Sequence, residues 1–394
     1  VREFLKKECP KDKVRSLEED EKGYDPETWR KMAELGWVGV ILPEEYGGVG
    51  GEFMDLALLM EEIGKNILPS PLLPTILCSL PILEYGTKKQ KEEFLPKIAS
   101  GEEIWTLALT EAPLATYEAS GIRLNARLEG DNYILKGTKI FVPYAHVANY
   151  LLVAARTSEE KDPEKGITMF IVDAKNPNIK VEVIPTAARD KQCEVKFEEV
   201  KIPKDNVLGE VGKGWEIIEF ILQRGAVLKC AEMLGAAEAV LEIANNYAKE
   251  RVQFDRPIGS FQAIQHKLAD MLCEVDGLKY LVYKAAWEIS VGSPSKLSIS
   301  IAKIKANEVY QQICISGIRI HGAIGFTMEH DIGLYFRRVK ASEYAFGDSS
   351  LHKEVVADEL EKYKPPNPWK EAVSYTHLRA HETRHDLVCR LLLE

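Results

Sequence analysis

The chain has 394 residues, of which 45% are hydrophobic and 28% are charged. This balance is typical of a folded globular protein and excludes a fibrous or disordered chain. A formal charge of −10 argues against a broad electrostatic surface for nucleic acid or an anionic membrane. No stretch approaches the roughly 20 apolar residues that a membrane-spanning helix needs. We therefore expect neither a nucleic-acid partner nor insertion into a membrane.

Seven cysteines are scattered singly along the chain. Zinc sites and redox dithiols require closely paired cysteines. The pattern therefore predicts reduced thiols, a cytoplasmic location and no metal site.

Residues 1–103 have the apolar spacing of helices and are predicted to form an N-terminal helical domain. Two loops are predicted to interrupt it. The first, 42–51, contains one proline and four glycines, and the second, 67–81, is rich in proline. Such segments favour tight connections over regular structure.

In residues 104–212 the apolar period changes to two, with turn signals such as Gly130-Asp131-Asn132 between the strand-like runs. This pattern predicts a small antiparallel β domain. Long helical periodicity returns over 213–364, which predicts a helical bundle. The order is α, then β, then a bundle, so we expect an α+β fold that is mainly helical. A Rossmann fold is disfavoured because βαβ alternation is missing.

Residues 365–394 do not continue the bundle pattern. They begin with a proline-rich linker and end in SYTHLRAHETRHDLVCRLLLE, which resembles translated read-through of a sequencing adapter. We interpret this segment as a linker and a non-native tail. A native interaction tail and a histidine-rich metal site are the alternatives.

Six sequence strings follow one another along residues 1–363. They are LPEEYGG at 42–48, GT with FLPKIASGE between 86 and 102, LTE at 109–111, YAKERVQF at 247–254, RPIG with FQAIQH between 256 and 266, and HGAIGFT at 321–327. In this order and spacing the chain resembles the acyl-CoA dehydrogenases. The resemblance implies a helical domain, a central β domain and a four-helix bundle, assembled as a dimer or tetramer.

The resemblance also implies FAD, held between the β domain and the bundle and reached by a neighbouring subunit. Leu109 and Thr110 match positions that hydrogen-bond the pyrimidine edge of the flavin. Arg251, Gln253 and Phe254 match the stretch that meets the pyrophosphate side of an FAD bound largely by the other subunit. An arginine fork suits a phosphate group.

Further positions expected at the cofactor follow later in the chain. Gly322 and Ala323 match a close-approach turn whose backbone N–H groups face phosphate oxygens. Arg319 occupies a position that commonly holds Gln near the adenine dinucleotide. Ser349 is the last residue expected to bind the cofactor. The alternative for Arg251 is a solvated cation at a helix end, and for Phe254 a core side chain.

The reaction that the resemblance implies needs a carboxylate base, which the family places at one of two positions. The first position falls on Gly347, in the run Phe346-Gly347-Asp348. The second falls on Gly225, on the first bundle helix. Neither position has a carboxylate, which is the most informative departure from the family pattern.

Three interpretations of this departure stay open. Asp348, one residue along, is a candidate base, although it is also placed to cap the following helix. Alternatively, the chain is a half-site subunit of a heteromeric dehydrogenase whose partner supplies the base. In the third interpretation the chain eliminates a good leaving group from an acyl-CoA without a base. The backbone N–H of Gly347 still polarises the thioester oxygen in that case.

The flavin pocket also departs from the family pattern. Pro143 stands where a hydroxyl commonly bonds the flavin N5 atom, and proline has no N–H to replace it. The segment 112–117 has lost the usual glycines. These changes support the heteromeric interpretation.

Together these observations predict an FAD-dependent acyl-CoA dehydrogenase that desaturates a CoA thioester between its α and β carbons. An electron-transfer flavoprotein is the expected electron acceptor. The expected assembly is a homo-oligomer or a heterotetramer with a paralogous subunit.

Overall fold

The computed structural model describes residues 1–362. The linker and tail predicted at 365–394, together with the two alternatives for that segment, lie outside the described residues. The described chain has helices at its beginning and end and a sheet between them. The predicted α+β fold, mainly helical, is confirmed.

The described residues before the sheet form six helices. Three of them begin with side-chain caps that the sequence supplies, one of which is a capping box of Glu52 with Asp55 at the start of α4. Asp25 accepts hydrogen bonds from the N–H groups of Glu27 and Thr28, and Thr87 forms a capping box with Gln90. The helices are α1 Arg2–Glu8, α2 Lys11–Glu19, α3 Pro26–Glu34, α4 Phe53–Asn66, α5 Leu72–Tyr85 and α6 Lys88–Ala99.

The loop predicted over 67–81 is wrong from Leu72 onward, because α5 begins there and contains two prolines. Pro74 lies in the first turn, where a backbone N–H has no partner within the helix. Pro81 lies inside the helix and removes one hydrogen bond. Nearly all of α5 up to Ile82 is buried, so the hydrophobic contribution exceeds the cost of the missing bond.

The central domain is one sheet whose strands run in the order β6-β7-β3-β2-β4-β5-β8, with β1 paired to β4. The antiparallel prediction holds for most pairs, but β1 is parallel to β4, and β2 meets β4 in a parallel pairing at Asn125 and Arg156. The strands are β1 Trp105–Ala108, β2 Asn125–Glu129, β3 Asn132–Pro143, β4 Tyr150–Arg156, β5 Ile167–Asp173, β6 Ile179–Ile184, β7 Gln192–Pro203 and β8 Val207–Leu208.

A bundle follows the sheet, as predicted. Its three long helices pack against one another in pairs, and two shorter helices pack against α9. A short hairpin, β9 Val252–Gln253 and β10 Arg256–Pro257, separates the first two. The bundle helices are α7 Gly214–Glu250, α8 Gln262–Ser290, α9 Lys296–His321, α10 Ile332–Tyr344 and α11 Ser349–Lys362. Among the described residues, every helix is too short or too polar to cross a bilayer.

The N-terminal helices join the bundle where α4 crosses α7. A Cβ at Gly64 would collide with the carbonyl of Glu232, and a Cβ at Gly235 would collide with the carbonyl of Glu61. The two backbones are therefore in direct contact, and glycine is required on both helices at the crossing. This contact fixes the position of α7, which carries one of the two expected base positions.

We predict that Gly235→Ala destabilises the protein by about 1–3 kcal/mol, because the added methyl group forces the two helices apart. Gly277→Ala on α8 is the matched control. Nothing lies within 4 Å of a Cβ at Gly277, and alanine favours a helix over glycine, so this change should stabilise the chain slightly. Urea unfolding midpoints measure both effects. Equal midpoints for the two variants would contradict the direct backbone contact.

Candidate active site

The two expected base positions meet in space. The ring of Phe346 lies directly on Gly225, since a Cβ at Gly225 would be 2.6 Å from two of the ring carbons. Phe346 has a φ of +58°, a conformation that a bulky side chain rarely adopts. A side chain at Gly225 would need this ring to move.

The backbone at the other expected base position, Gly347, also has a conformation that requires glycine. Its φ is +102°, and a Cβ would lie 2.8 Å from the side chain of Leu351 and 2.9 Å from Nε2 of His352. The N–H of Gly347 donates to the carbonyl of Tyr344 over 3.4 Å. That distance is long for a hydrogen bond, so this donor is only weakly engaged within the chain.

Asp348 caps helix α11. Its Oδ1 atom accepts a hydrogen bond of 2.9 Å from the N–H of Leu351. The side chain is half-buried at the end of the Phe346 loop, the segment 345–348 between α10 and α11. One carboxylate oxygen therefore serves the helix cap, in the arrangement that N-cap residues commonly adopt.

Polar side chains of α9 support the Phe346 loop from behind. Lys303, fully buried, donates from Nζ to Oδ1 of Asn307 at 2.7 Å and to the carbonyls of Ser342 and Glu343 at the end of α10. Asn307 in turn donates to Oγ of Ser349 over 3.1 Å. Burial lowers the pKa of Lys303 to about 8. The cofactor-binding role of Ser349 stays a prediction, and its hydroxyl is part of this network.

His352 lies in the same buried layer. Its Nε2 is 3.0 Å from the carbonyl of Phe346, and its Nδ1 is 3.1 Å from Oγ of Ser300. Burial, reinforced by the nearby Lys303 charge and partly offset by Asp348, lowers the pKa of His352 to about 4. The imidazole is therefore neutral near pH 7.

The β domain contributes the segment that begins at Leu109. Leu109 and Thr110 are buried at the end of β1, and the Thr110 hydroxyl donates to the carbonyl of Ile140 over 2.6 Å. An ion pair between the fully buried Lys139 and the partly buried Glu111 lies next to them. Nζ of Lys139 is 2.6 Å from Oε1 of Glu111 and also donates to the carbonyl of Leu109.

The segment that follows reaches the Phe346 loop. The rings of Tyr117 and Phe346 stack with centroids 6.0 Å apart. Ala115, which matches a lost family glycine, keeps a φ of +49°, so the backbone retains a conformation that favours glycine. Tyr117, Gly225 and the Phe346 loop are thus in contact. Together with Leu109 and Thr110, which precede Tyr117 in the same segment of the β domain, we call them the chemical cluster.

Pro143 and its neighbours also lie on this domain. Its carbonyl accepts a hydrogen bond of 2.5 Å from the Thr106 hydroxyl. The register between β3 and β7 shifts between Lys139 and Val142, and Phe141 in this irregular stretch has a φ of +53° and is half-exposed. The irregularity turns an aromatic ring towards the surface of the domain.

Other residues predicted to bind the cofactor lie at the end of α7 and in the hairpin that follows it. Arg251 ends α7 and is exposed, as is Gln253 in the hairpin. Phe254 is 85% exposed, so the core interpretation of this side chain is wrong. Phe254 and Asp255 form the two-residue hairpin turn with φ values of +53° and +63°, a strained conformation for residues other than glycine.

The end of α9 lies beside this hairpin. The rings of Tyr247 and His321 stack with centroids 4.3 Å apart, which brings Gly322 close to the end of α7. Gly322 has a φ of +67°, and nothing lies within 4 Å of the place of its Cβ. Arg319 and Ala323 are exposed on either side of it. Arg251, Gln253, Phe254, Arg319, Gly322 and Ala323 form a second group, which we call the hairpin cluster.

The two clusters are far apart on one chain. An α-helix rises ~1.5 Å per residue, so Gly225 in the chemical cluster and Tyr247 beside the hairpin cluster lie roughly 33 Å apart along α7. This separation is longer than an FAD molecule. The structure therefore does not bring all predicted cofactor residues together in a single chain.

Sequence reasoning missed the buried groups behind the chemical cluster, namely Lys139, Lys303, Asn307 and His352. One signal was available, because Ser300, Lys303 and Asn307 recur at the i, i+3, i+7 spacing that places polar residues on one helical face. No sequence pattern pointed to the contact of His352 with the Phe346 carbonyl.

Models of three consecutive domains match the chain. They are described as the acyl-CoA dehydrogenase N-terminal, middle and C-terminal domains and match residues 1–102, 106–200 and 212–361. The described fold thus carries all three parts of one enzyme class. The chain belongs to the acyl-CoA dehydrogenase family.

Individual relatives agree with this. A probable acyl-CoA dehydrogenase YngJ of Bacillus subtilis is 36% identical, covering 92% of this chain and 96% of the relative. The Caffeyl-CoA reductase-Etf complex subunit CarC of Acetobacterium woodii is 33% identical, covering 92% of this chain and 96% of the relative. The solved butyryl-CoA dehydrogenase of Megasphaera elsdenii has a TM-score of 0.85 and 33% identity, with 91% and 95% coverage. The predicted enzyme class, an acyl-CoA dehydrogenase-type oxidoreductase acting on CH–CH bonds, is confirmed.

We predict that His352 makes the protein less stable in mild acid. Its ordinary pKa near 6.5 falls to about 4 in the folded chain. The unfolded chain therefore binds the proton first, and stability is lost as the pH falls from 6.5 towards 4. At pH 5 the loss is on the order of 2 kcal/mol relative to pH 8.

The matched variant is His352→Gln, which keeps an amide donor for the Phe346 carbonyl and does not titrate. Urea unfolding at pH 8 and pH 5 should show a smaller acid-induced loss in the variant than in the wild type. An equal loss in both proteins would contradict the buried neutral imidazole.

Proposed function

We propose that this chain is an FAD-dependent acyl-CoA dehydrogenase that oxidises a CoA thioester between its α and β carbons. The observation that carries the proposal is the meeting of Gly225, Phe346 and Tyr117. The two alternative base positions of the family and the segment after Thr110 converge there on one point. The chemistry that defines the family belongs at that point.

The residues of both clusters fit FAD. The Thr110 hydroxyl uses its proton for the Ile140 carbonyl and keeps its lone pairs for a flavin donor, with Leu109 beside it. In the hairpin cluster the exposed Phe254 offers an apolar face, and the open Gly322–Ala323 turn lets backbone N–H groups approach phosphate. Arg251, Gln253 and Arg319 supply exposed polar and cationic groups there. FAD supplies the hydride acceptor of the reaction when it is bound.

The distance between the clusters supports a shared cofactor. Because one FAD cannot reach both clusters of one chain, the chemical cluster of one subunit and the hairpin cluster of another are proposed to hold it together. The assembly is then a homo-oligomer or a heterotetramer with a paralogous subunit. The exposed Phe254 ring, held in a strained turn, is the side chain we expect to be covered in that assembly.

Within the chemical cluster, Asp348 is proposed as the base for the α proton of the acyl-CoA. Its Oδ1 caps α11, which leaves Oδ2 for the proton. The weakly engaged N–H of Gly347 is proposed to donate to the thioester oxygen in place of the Tyr344 carbonyl. An electron-transfer flavoprotein is the proposed electron acceptor, supported by the Etf complex named for the CarC relative. The proposed location is the cytoplasm.

Asp348→Asn tests the base role separately from the cap. The amide oxygen still accepts from the Leu351 N–H, so we expect an unchanged unfolding midpoint and retained FAD, with flavin reduction by acyl-CoA abolished. Asp348→Ala is the control that loses the cap as well and should cost about 1 kcal/mol of stability. Normal anaerobic flavin bleaching by Asp348→Asn would remove Asp348 from the base role.

A second candidate function is favoured by the absence of a carboxylate at both base positions. The Phe346 ring covers Gly225, and Gly347 has a backbone conformation that disfavours a side chain. The chain would then be a half-site subunit whose paralogous partner supplies the base. Its own role would be to complete the assembly and the flavin site.

Purification distinguishes the two functions. Expressed alone, a complete enzyme should be yellow and should bleach when an acyl-CoA is added without oxygen. A chain that is colourless alone, and becomes yellow and active only after co-expression with a paralogous subunit, would contradict the first function and support the second. Absorbance near the flavin bands reports both outcomes.

A further inference from the structure

Hydrogen bonds from residues on a single face of α9 hold the Phe346 loop in place. Ser300, Lys303 and Asn307 follow one another at i, i+3 and i+7 and are all buried. Lys303 binds the last carbonyls of α10, and Asn307 binds Ser349 at the start of α11. These two contacts hold the ends of the loop. Ser300 contributes to holding the middle of the loop, and only through its hydrogen bond with His352.

The hydrogen-bond chemistry fixes the tautomer of His352. The Phe346 carbonyl can only accept, so the ring nitrogen 3.0 Å away, Nε2, carries the proton and donates it. Nδ1 is then an acceptor, and the Ser300 hydroxyl donates to it. Both ring nitrogens therefore have hydrogen-bond partners inside the protein. The two hydrogen bonds run in one direction, from the Ser300 hydroxyl to His352 and from His352 to the Phe346 carbonyl.

This chain of hydrogen bonds ends at the strained residue. The carbonyl that His352 binds belongs to Phe346, whose φ is +58° and whose ring covers Gly225. A donor fixed at this carbonyl holds the peptide that joins Phe346 to Gly347. Without the donor, this partly buried carbonyl loses its only side-chain partner among the described residues. The loop is then free to return Phe346 to an ordinary backbone conformation.

We propose that His352, oriented by Ser300, is a positioning residue that holds the Phe346 ring against Gly225 and the Gly347 peptide in the shape that receives the CoA thioester. The reference to the thioester rests on the proposed function. The position of the ring does not, because it follows from the contacts of this chain alone.

The first test uses stability and needs no cofactor chemistry. Gly225→Ala places a methyl group against the Phe346 ring and should lower the unfolding midpoint in the wild-type background. In the His352→Leu background the ring can move, so the same substitution should lower the midpoint by less than half as much. His352→Gln restores a donor and should restore the full effect.

Ser79→Ala is the matched control for a lost buried hydrogen bond, since the Ser79 hydroxyl donates to Ile76 within α5. In the double variant, the effects of Ser79→Ala and Gly225→Ala on the unfolding midpoint should add. Equal effects of Gly225→Ala in the wild-type and His352→Leu backgrounds would overturn the proposal. If Gly225→Ala does not fold, a crystal structure of His352→Leu decides: a negative φ at Phe346 supports the proposal, and an unchanged φ overturns it.

The second test concerns the reaction. The oxygen-free reduction of the flavin by butyryl-CoA is followed in the FAD-loaded protein, or by 3-phenylpropanoyl-CoA if the first thioester does not bleach the wild type. His352→Leu should slow reduction at least tenfold, and His352→Gln should stay within threefold of the wild type, with FAD content equal in all three.

An unchanged rate in His352→Leu would overturn the positioning role in the reaction. A wild type that neither thioester bleaches would count against the proposed function instead. In that case the coupling between Gly225 and His352 alone decides whether His352 positions the loop.

Discussion

The contact between the Phe346 ring and Gly225 is the interaction on which the proposed site depends. It joins the loop after α10 to the first bundle helix, at a position where the family resemblance predicts a base. A ring, and not a carboxylate, fills that position, so the proposed chemistry uses the neighbouring Asp348, a base from a partner subunit, or an elimination that needs no base. Hydrogen bonds hold the loop in this shape, since α9 binds Glu343 and Ser349 at its two ends and His352 of α11 binds the Phe346 carbonyl.

The length of α7 sets the second constraint. One helix of 37 residues carries Gly225 near one end of the bundle and leads to the exposed hairpin at the other. The residues predicted to hold one FAD are thereby separated by roughly 33 Å along the helix. In the assembly proposed above, each FAD site takes the chemical cluster from one subunit and the hairpin cluster from another, and Phe254, exposed in the single chain, is covered.

The sequence predicted the order of the domains because each has its own apolar period. The period of two does not predict strand β1, since all four of its residues are buried and show no alternation. Helix α5 was predicted as a loop because prolines usually interrupt exposed helices, whereas this helix is stabilised by burial on most sides. Local patterns therefore failed where tertiary packing outweighed local preference.

For the site, matching motifs predicted candidate residues but not the distances between them. Asp348 was expected both as base and as cap, and only coordinates show that its Oδ1 atom bonds Leu351. The role of His352 depends on a carbonyl that a sequence cannot locate. The separation of the two clusters likewise follows from helix length and from the Tyr247 stack on His321, which no motif encodes.

The most direct measurement is a crystal or electron cryomicroscopy structure of the assembled protein with FAD and an acyl-CoA. The account predicts the isoalloxazine ring beside Thr110 and Phe346 of one subunit, with its pyrophosphate near Arg251 and Gly322 of a neighbour. A flavin held entirely by one chain, or an assembly in which Tyr117 and Phe346 close the cleft to any flavin, would contradict it.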